Sequence, residues 1–551
     1  MLNERHRAIF WTAAVLALVF LAGCRGEEPV DADPSEVAEG GEVALPLWNE
    51  SQGWANPLWA QKPADIRLSS VLFPALFAPG PQAEPVSRLA ESYRVSEDGL
   101  EIEFSLRQDV LWHDGEPFTA RDVAFTWEEI LHHEYEGPAG VSEEIIQVIE
   151  GAAEYRQGQR GEIAGLEVPD EFTVIFRLTE PLAPALTRLA FQPVVPAHVR
   201  EVLRGEGDFN QGLDRWKESA VGTGPFKVDE VSDDGVRLVK YEDYFLGPPH
   251  LDAVVFRRVN PEVAPGLFET GDLDVMPFQL RDWDEISRLE GAVIESYPQL
   301  HYTYLGLNAN RPPLSDRDVR RALDWLVDTE SIAETVLRGQ ATPVAGHMIP
   351  AYWVWEEPPV PTYDRTGAFD LLAEAGWSLS DEDVITNEEG DPLSVRLVYP
   401  KGDAFREQVA LAVSDTLSEA GIRVEADGLE YDQVLVEVFE KGEFDLYLLG
   451  WDLTLDPDPL EIWEPESRWN AVGFESEQAQ ALVEQARRTY DMEDRALIYR
   501  EWDREVTQVE VPYIFLYMPH GLLAVREEIQ GLEAGTGGYV HNIHRWWLSG
   551  D

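Results

Sequence analysis

The chain has 551 residues, 44% of them hydrophobic and 18 of them Trp, which is enough for more than one hydrophobic core and therefore for two or more lobes. Against 103 Asp and Glu stand 43 Lys and Arg, only six of them Lys, for a formal charge of −60. A surface this negative makes nucleic acid and anionic lipid poor partners, and it suits high ionic strength, where the screening length falls to about 3 Å near molar salt.

The first element reads as an address. In residues 1–24, MLNERHRAIFWTAAVLALVFLAGC, Arg5 and Arg7 precede an apolar run from Ile9 to Ala22. That run is shorter than the roughly 20 residues of a spanning helix, so 1–23 is expected to be a cleaved signal peptide. Cys24 is the only Cys, which excludes disulfides and thiolate metal clusters. Residues 24–41 are rich in Glu, Asp, Pro and Gly and read as a tether, with the folded body starting near Glu42. Alternation predicts strands over 100–106, 172–178 and 236–239. Period-3.6 patterns predict helices over 318–337, 405–420, 479–490 and 495–506. Strands and helices mix throughout, so the class is α/β or α+β with several sheets.

Enzyme signatures are scarce: there is no G-x-S-x-G, H-E-x-x-H, P-loop or C-x-x-C. HHEYE (132–136) and HNIH (541–544) each offer two His without an evident third ligand, so no metal and no cofactor is expected. VGTGPF (221–226) reads as a tight turn entering a strand. In WHDGEPFTARDV, Thr119 is placed to cap a helix with Asp122 in its first turn; in PLSDRDVRRAL, Ser315 or Asp316 does the same.

Four blocks, LAESYRVSEDGLEIEFSLRQDVLWHDGEPFTARDVAFTWEEI (89–130), VGTGPFKVDEVSDDGVRLVKYEDYFLGPPHLDAVVFRRV (221–259), YTYLGLNANRPPLSDRDVRRALDWLVDTESIAETVLRGQATPV (302–344) and FDLYLLGWDLTLDPDP (444–459), occur in a telling order. Together they resemble the extracytoplasmic solute-binding proteins of the dipeptide/oligopeptide/nickel class, and LAGC at 21–24 resembles the lipobox of bacterial lipoproteins, with Cys24 lipidated. Of the two classes the resemblance implies α/β, in a two-lobed periplasmic-binding-protein-like clam (type II, cluster C) with an extra small domain. Mapped here, domain I takes 42–67, 191–300 and 511–551; domain II takes 68–190; domain III, the other lobe, takes 301–510. It also implies a lipid-anchored extracytoplasmic monomer that closes on a solute and delivers it to an ABC permease and ATPase complex.

In peptide-binding members a Gly-Trp pair stands at the cleft, with an Asp three residues after the Trp on the peptide ammonium. Gly450-Trp451 matches, but Trp451 plus three is Thr454, flanked by Asp452 and Asp456. The candidate ligand-binding set is therefore Trp451, Asp452, Thr454 and Asp456, with Tyr302, Tyr304, Tyr517 and Trp48 as further walls. Asp458, between two Pro, is assigned to the turn, and no Arg for a peptide carboxylate stands just before Gly450. A peptide is the first expectation for the ligand. An oligosaccharide, an opine-like compound or a metal chelate are alternatives on the same fold. A secreted hydrolase using Asp452 and Asp456 as acid and base is the alternative from another class.

Overall fold

The computed structural model describes residues 37–48, 53–135, 137, 142–200, 220–357 and 363–550. The segment expected to be a signal peptide, Cys24 and most of the expected tether lie outside the described residues. No helix among the described residues is long and apolar enough to cross a membrane.

Two lobes share one sheet. On the first lobe, Glu42–Trp48 pairs in parallel with Ala253–Val259, followed by Gly235–Lys240 and Phe226–Ser232. A smaller four-stranded antiparallel sheet (Ala90–Val95, Glu101–Leu106, Thr173–Arg177, Leu166–Asp170) packs on it. One continuous core runs through both, from Val43 and Phe256 to Phe104 and Phe176, so these two bodies form a single rigid unit. The second lobe is built on Ser394–Pro400, Arg423–Leu429, Leu446–Asp452 and His301–Leu307. The 14-residue strand Tyr513–Arg526 joins the lobes. It pairs with His301–Leu307 and Ala341–Pro343 in the second lobe, and with Val275–Phe278 and Ala292–Pro298 in the first. The chain crosses between lobes there and at Pro298–His301, which is where a hinge belongs.

Two of the recognisable blocks exist to hold each other. His113 donates its backbone N–H to Gly222 O (2.8 Å), while its ring Nδ1 accepts from Gly222 N (3.1 Å) and its Nε2 lies 3.0 Å from Gly224 O. Burial pushes this imidazole down to about 4, so it stays neutral as the pattern requires. A Cβ on Gly222 or Gly224 would sit 1.9 Å from the carbonyl oxygens of Leu72 or Val71. The helix Ala120–Ile130 begins as expected at Thr119, whose N–H reaches Asp122 Oδ2 (2.8 Å). Asp122 also accepts from Ala197 N (2.8 Å) and Trp112 Nε1 (3.3 Å), which ties three segments together.

The helix expected over 318–337 is broken. Arg317–Leu326 ends at Val327, whose backbone is extended, and Asp328 caps a new start at Thr329–Ser331 by accepting from Ser331 N (2.9 Å). Within the first piece, Asp324 is half-buried and no hydrogen bond or ion pair reaches its carboxylate among the described residues; desolvation pushes its pKa up from 3.8 to about 7. A raised folded-state pKa contributes stability that is present below the unfolded value and lost as pH rises through about 7. Asp324→Asn is therefore expected to stabilise the protein by about 2 to 4 kcal/mol above that pH, with the gain gone near pH ~4. Melting curves of both proteins across that pH range check it; equal midpoints throughout contradict it.

Candidate functional site

Both lobes present the carboxyl ends of parallel strands, the place where α/β sheets take ligands. Trp48 ends the strand Glu42–Trp48, and Trp451-Asp452 ends Leu446–Asp452, which runs parallel to Ser394–Pro400.

Trp451 is half-buried. Its indole Nε1 donates to Tyr513 Oη (3.4 Å), its plane lies within 7° of the Tyr304 ring at 6.2 Å, and Trp469 meets it edge-on at 5.7 Å. Its cross-strand partner is Tyr302, and that of Asp452 is His301. His301 Nδ1 lies 2.7 Å from Asp452 Oδ1 while the Asp452 side chain is 97% exposed. The His301 hydrogen bond first, then the His301 and Arg406 charges, hold the Asp452 carboxyl below the usual carboxylate range. Gly450 makes room for this pair: a Cβ there would lie 2.5 Å from His301 Nε2.

Arg406 is the residue the sequence reading missed. It stands in the first turn of Ala404–Glu419, a helix capped by Asp403, whose Oδ1 accepts from Phe405 N (3.0 Å) and Arg406 N (3.2 Å). No ion pair holds its guanidinium among the described residues, and its charge acts on both Asp452 and Tyr517. It lies 45 residues before Trp451 in the sequence. Only the parallel pairing of the two strands brings it to this rim.

The other candidates divide. Tyr302 and Tyr304 are fully buried, because their strand lies between Leu446–Asp452 and Tyr513–Arg526 and both of its faces are covered. They brace the wall from behind and do not form its surface. Tyr517 is 6% exposed and likewise belongs to the core. Thr454 is exposed, with its hydroxyl turned back to Asp456 O (2.8 Å). Trp48 lines a depression of about 560 Å³ on the first lobe with Arg67, Met276, Phe278 and Gln279.

Asp456 is not available to a ligand. Arg495 grips it with two hydrogen bonds (2.6 and 2.9 Å), Thr187 Oγ1 donates to Oδ2 (2.6 Å) and Asp458 N to Oδ1 (3.1 Å). Asp458 is more than the turn residue expected: its side chain is 13% exposed and paired with Arg487 at 2.6 Å. An acid–base pair of Asp452 and Asp456 is excluded on the same grounds, since one is open to solvent and the other is sealed in an ion pair. Of the His clusters, His132, His133 and Glu134 have their ligand atoms within 4.8 Å of one another, two of the three on exposed residues. His544 is pushed down to about 3 by burial and by Arg88 and Arg545, surroundings that repel a cation.

A sequence profile described as "Bacterial extracellular solute-binding proteins, family 5 Middle" matches residues 84–469. The chain is 25% identical over 567 residues to the oligopeptide-binding protein AppA of Bacillus subtilis, covering all of both chains. It is 26% identical to the dipeptide-binding protein of Escherichia coli K12, over 83% of this chain and 85% of that protein. Among solved structures, the unliganded open form of the periplasmic murein tripeptide-binding protein MppA superposes with a TM-score of 0.78 at 20% identity (93% and 98% covered). The nonapeptide complex of Bacillus subtilis AppA superposes with 0.63 at 24% identity (93% and 100% covered).

Proposed function

From the premise that the chain belongs to family 5 of the bacterial extracellular solute-binding proteins, the substrate-binding class of peptide ABC transporters, we propose that it captures a short peptide between its lobes and delivers it to an ABC permease. Members of this family bind solutes and do not transform them. One observation carries the peptide reading. At the carboxyl ends of the second lobe's parallel strands, an exposed carboxylate (Asp452) stands beside an aromatic wall (Trp451), and the charge of Arg406, whose guanidinium has no ion pair among the described residues, acts on that carboxylate. A zwitterion needs one partner of each sign, and a guanidinium with no ion pair among the described residues beside an exposed carboxylate offers both. Asp452 takes the ammonium in place of the Asp absent at Thr454, Arg406 takes the carboxylate, and Trp451 packs on the backbone between them.

Three finer points belong to the same proposal. Cys24 in LAGC carries the lipid that holds a monomeric receptor at the outer side of the cell membrane. The three-part division with boundaries near 68, 191, 301 and 511 describes its domains. The oligopeptide- and dipeptide-binding relatives support a peptide as the cargo.

Titration of the protein with free and C-terminally amidated di- to pentapeptides tests the site. Trp451→Ala is expected to weaken binding by about 2 kcal/mol, or ~30-fold. Arg406→Gln is expected to abolish the preference for a free carboxylate while leaving the amide's affinity as it was. Equal affinity of wild type and both variants for every peptide would remove these residues from the site.

A further inference from the structure

The contact between the small antiparallel body of the first lobe and the second lobe is polar, directional and built on both sides. Thr187, in the helix Ala183–Ala190, donates to Asp456 Oδ2 (2.6 Å). Glu144, in Glu143–Val148, meets Arg487. Tyr490 Oη donates to Gly99 O (3.0 Å) and accepts from Leu182 N (3.0 Å), with its ring packed against Gly99. The turn at Ala83, in left-handed backbone (φ +61°), is buried in a core of the second lobe. Between Leu186 and Phe191 on one side and Trp353 and Leu455 on the other, only about 30 Å³ stays unfilled, room for about two waters.

We propose that these contacts form one cooperative clasp between the two lobes that parts as a unit when the cleft opens. Two rigid bodies joined by hinge strands at Pro298–His301 and Tyr513–Arg526, and again at a separate place, cannot rotate freely about the hinge while the second attachment stays made. The construction of the clasp explains how it can part. On the second lobe, Asp456 keeps Arg495 and Asp458 keeps Arg487, both within that lobe. On the first lobe, the partners are a hydroxyl, a half-exposed carboxylate (51%), a carbonyl and an amide, each of which water can satisfy. Release therefore leaves no buried charge without a partner, the outcome that makes breaking most buried ion pairs prohibitive. No ligand takes part in these contacts, and the clasp is the same whether or not a peptide is the cargo.

The test reads a third contact after weakening two others. In the ligand-free protein, Thr187→Val with Glu144→Gln is expected to speed hydrogen exchange of the Leu182 amide about tenfold, the loss of one charged hydrogen bond and one half-exposed pair. Amides of Leu446–Asp452 should be unchanged. Tyr490→Phe, which removes the partner of that amide, is expected to raise the small-angle scattering radius of the ligand-free protein. Unchanged exchange at Leu182 in the double variant, or an unchanged radius in Tyr490→Phe, would show that the contacts break independently and that no clasp exists.

Discussion

Replacing Arg495 by Met is expected to cost about 3 to 5 kcal/mol of stability, because it strands the Asp456 carboxylate in a site that is only 7% exposed. Arg495 is enclosed as completely: it forks onto both oxygens of Asp456, adds Tyr499 Oη at 3.0 Å, and lies over the Tyr499 ring at 5.0 Å. Desolvation opposes its charge, but Asp456 outweighs desolvation and holds the guanidinium firmly protonated. Two members of GWDLTLDPDP are thus fixed from the helices Glu477–Arg487 and Met492–Arg504. The double variant Arg495→Met, Asp456→Leu removes both charges, and it is expected to recover most of the loss. Urea unfolding of the two singles and the double measures the coupling. Additive losses would mean that the pair contributes nothing beyond its separate packing.

The largest effect of all is expected from salt. At −60 the folded chain confines its charge in a smaller volume than the unfolded chain does, and self-repulsion falls as the screening length contracts from about 10 Å at 0.1 M to about 3 Å at 1 M. The melting midpoint should rise by at least about 10 °C across that range, against the modest loss expected of local ion pairs such as Arg177 with Glu101 and Glu167. Those pairs are half-exposed and individually weak, so they cannot reverse the sign. A midpoint that is flat or falls with added salt would overturn this reading of the charge.

The elements with a clean period were legible in the sequence: the strand Glu101–Leu106 and the helix Ala404–Glu419 lie within a residue of where the pattern puts them. The break at Val327 was legible too, had Asp328 been weighed as an N-cap, since local capping won over an apolar stripe that continued past it. The site was legible only in part. Gly450-Trp451 could be located from its neighbours in the chain, but the fate of each carboxylate depends on partners far away: Arg495 lies 39 residues from Asp456, and Thr187 lies 269. Asp456 and Asp452 look alike in the sequence, yet one is locked in an ion pair and the other opens to solvent. Tyr302 and Tyr304 show the same limit in reverse, for nothing local announces that their strand is central and covered on both faces.

The rim formed by Trp451, Asp452 and Arg406 is proposed to bind a peptide zwitterion. Calorimetric titration of the intact protein at molar salt, with a set of short peptides free at both ends and the same set blocked at either end, tests it most directly. Saturable one-to-one binding of at least one free peptide is expected, with weaker binding when either its ammonium or its carboxylate is blocked. Saturable binding of a sugar or a metal chelate, with no heat from any peptide in the set, would contradict it.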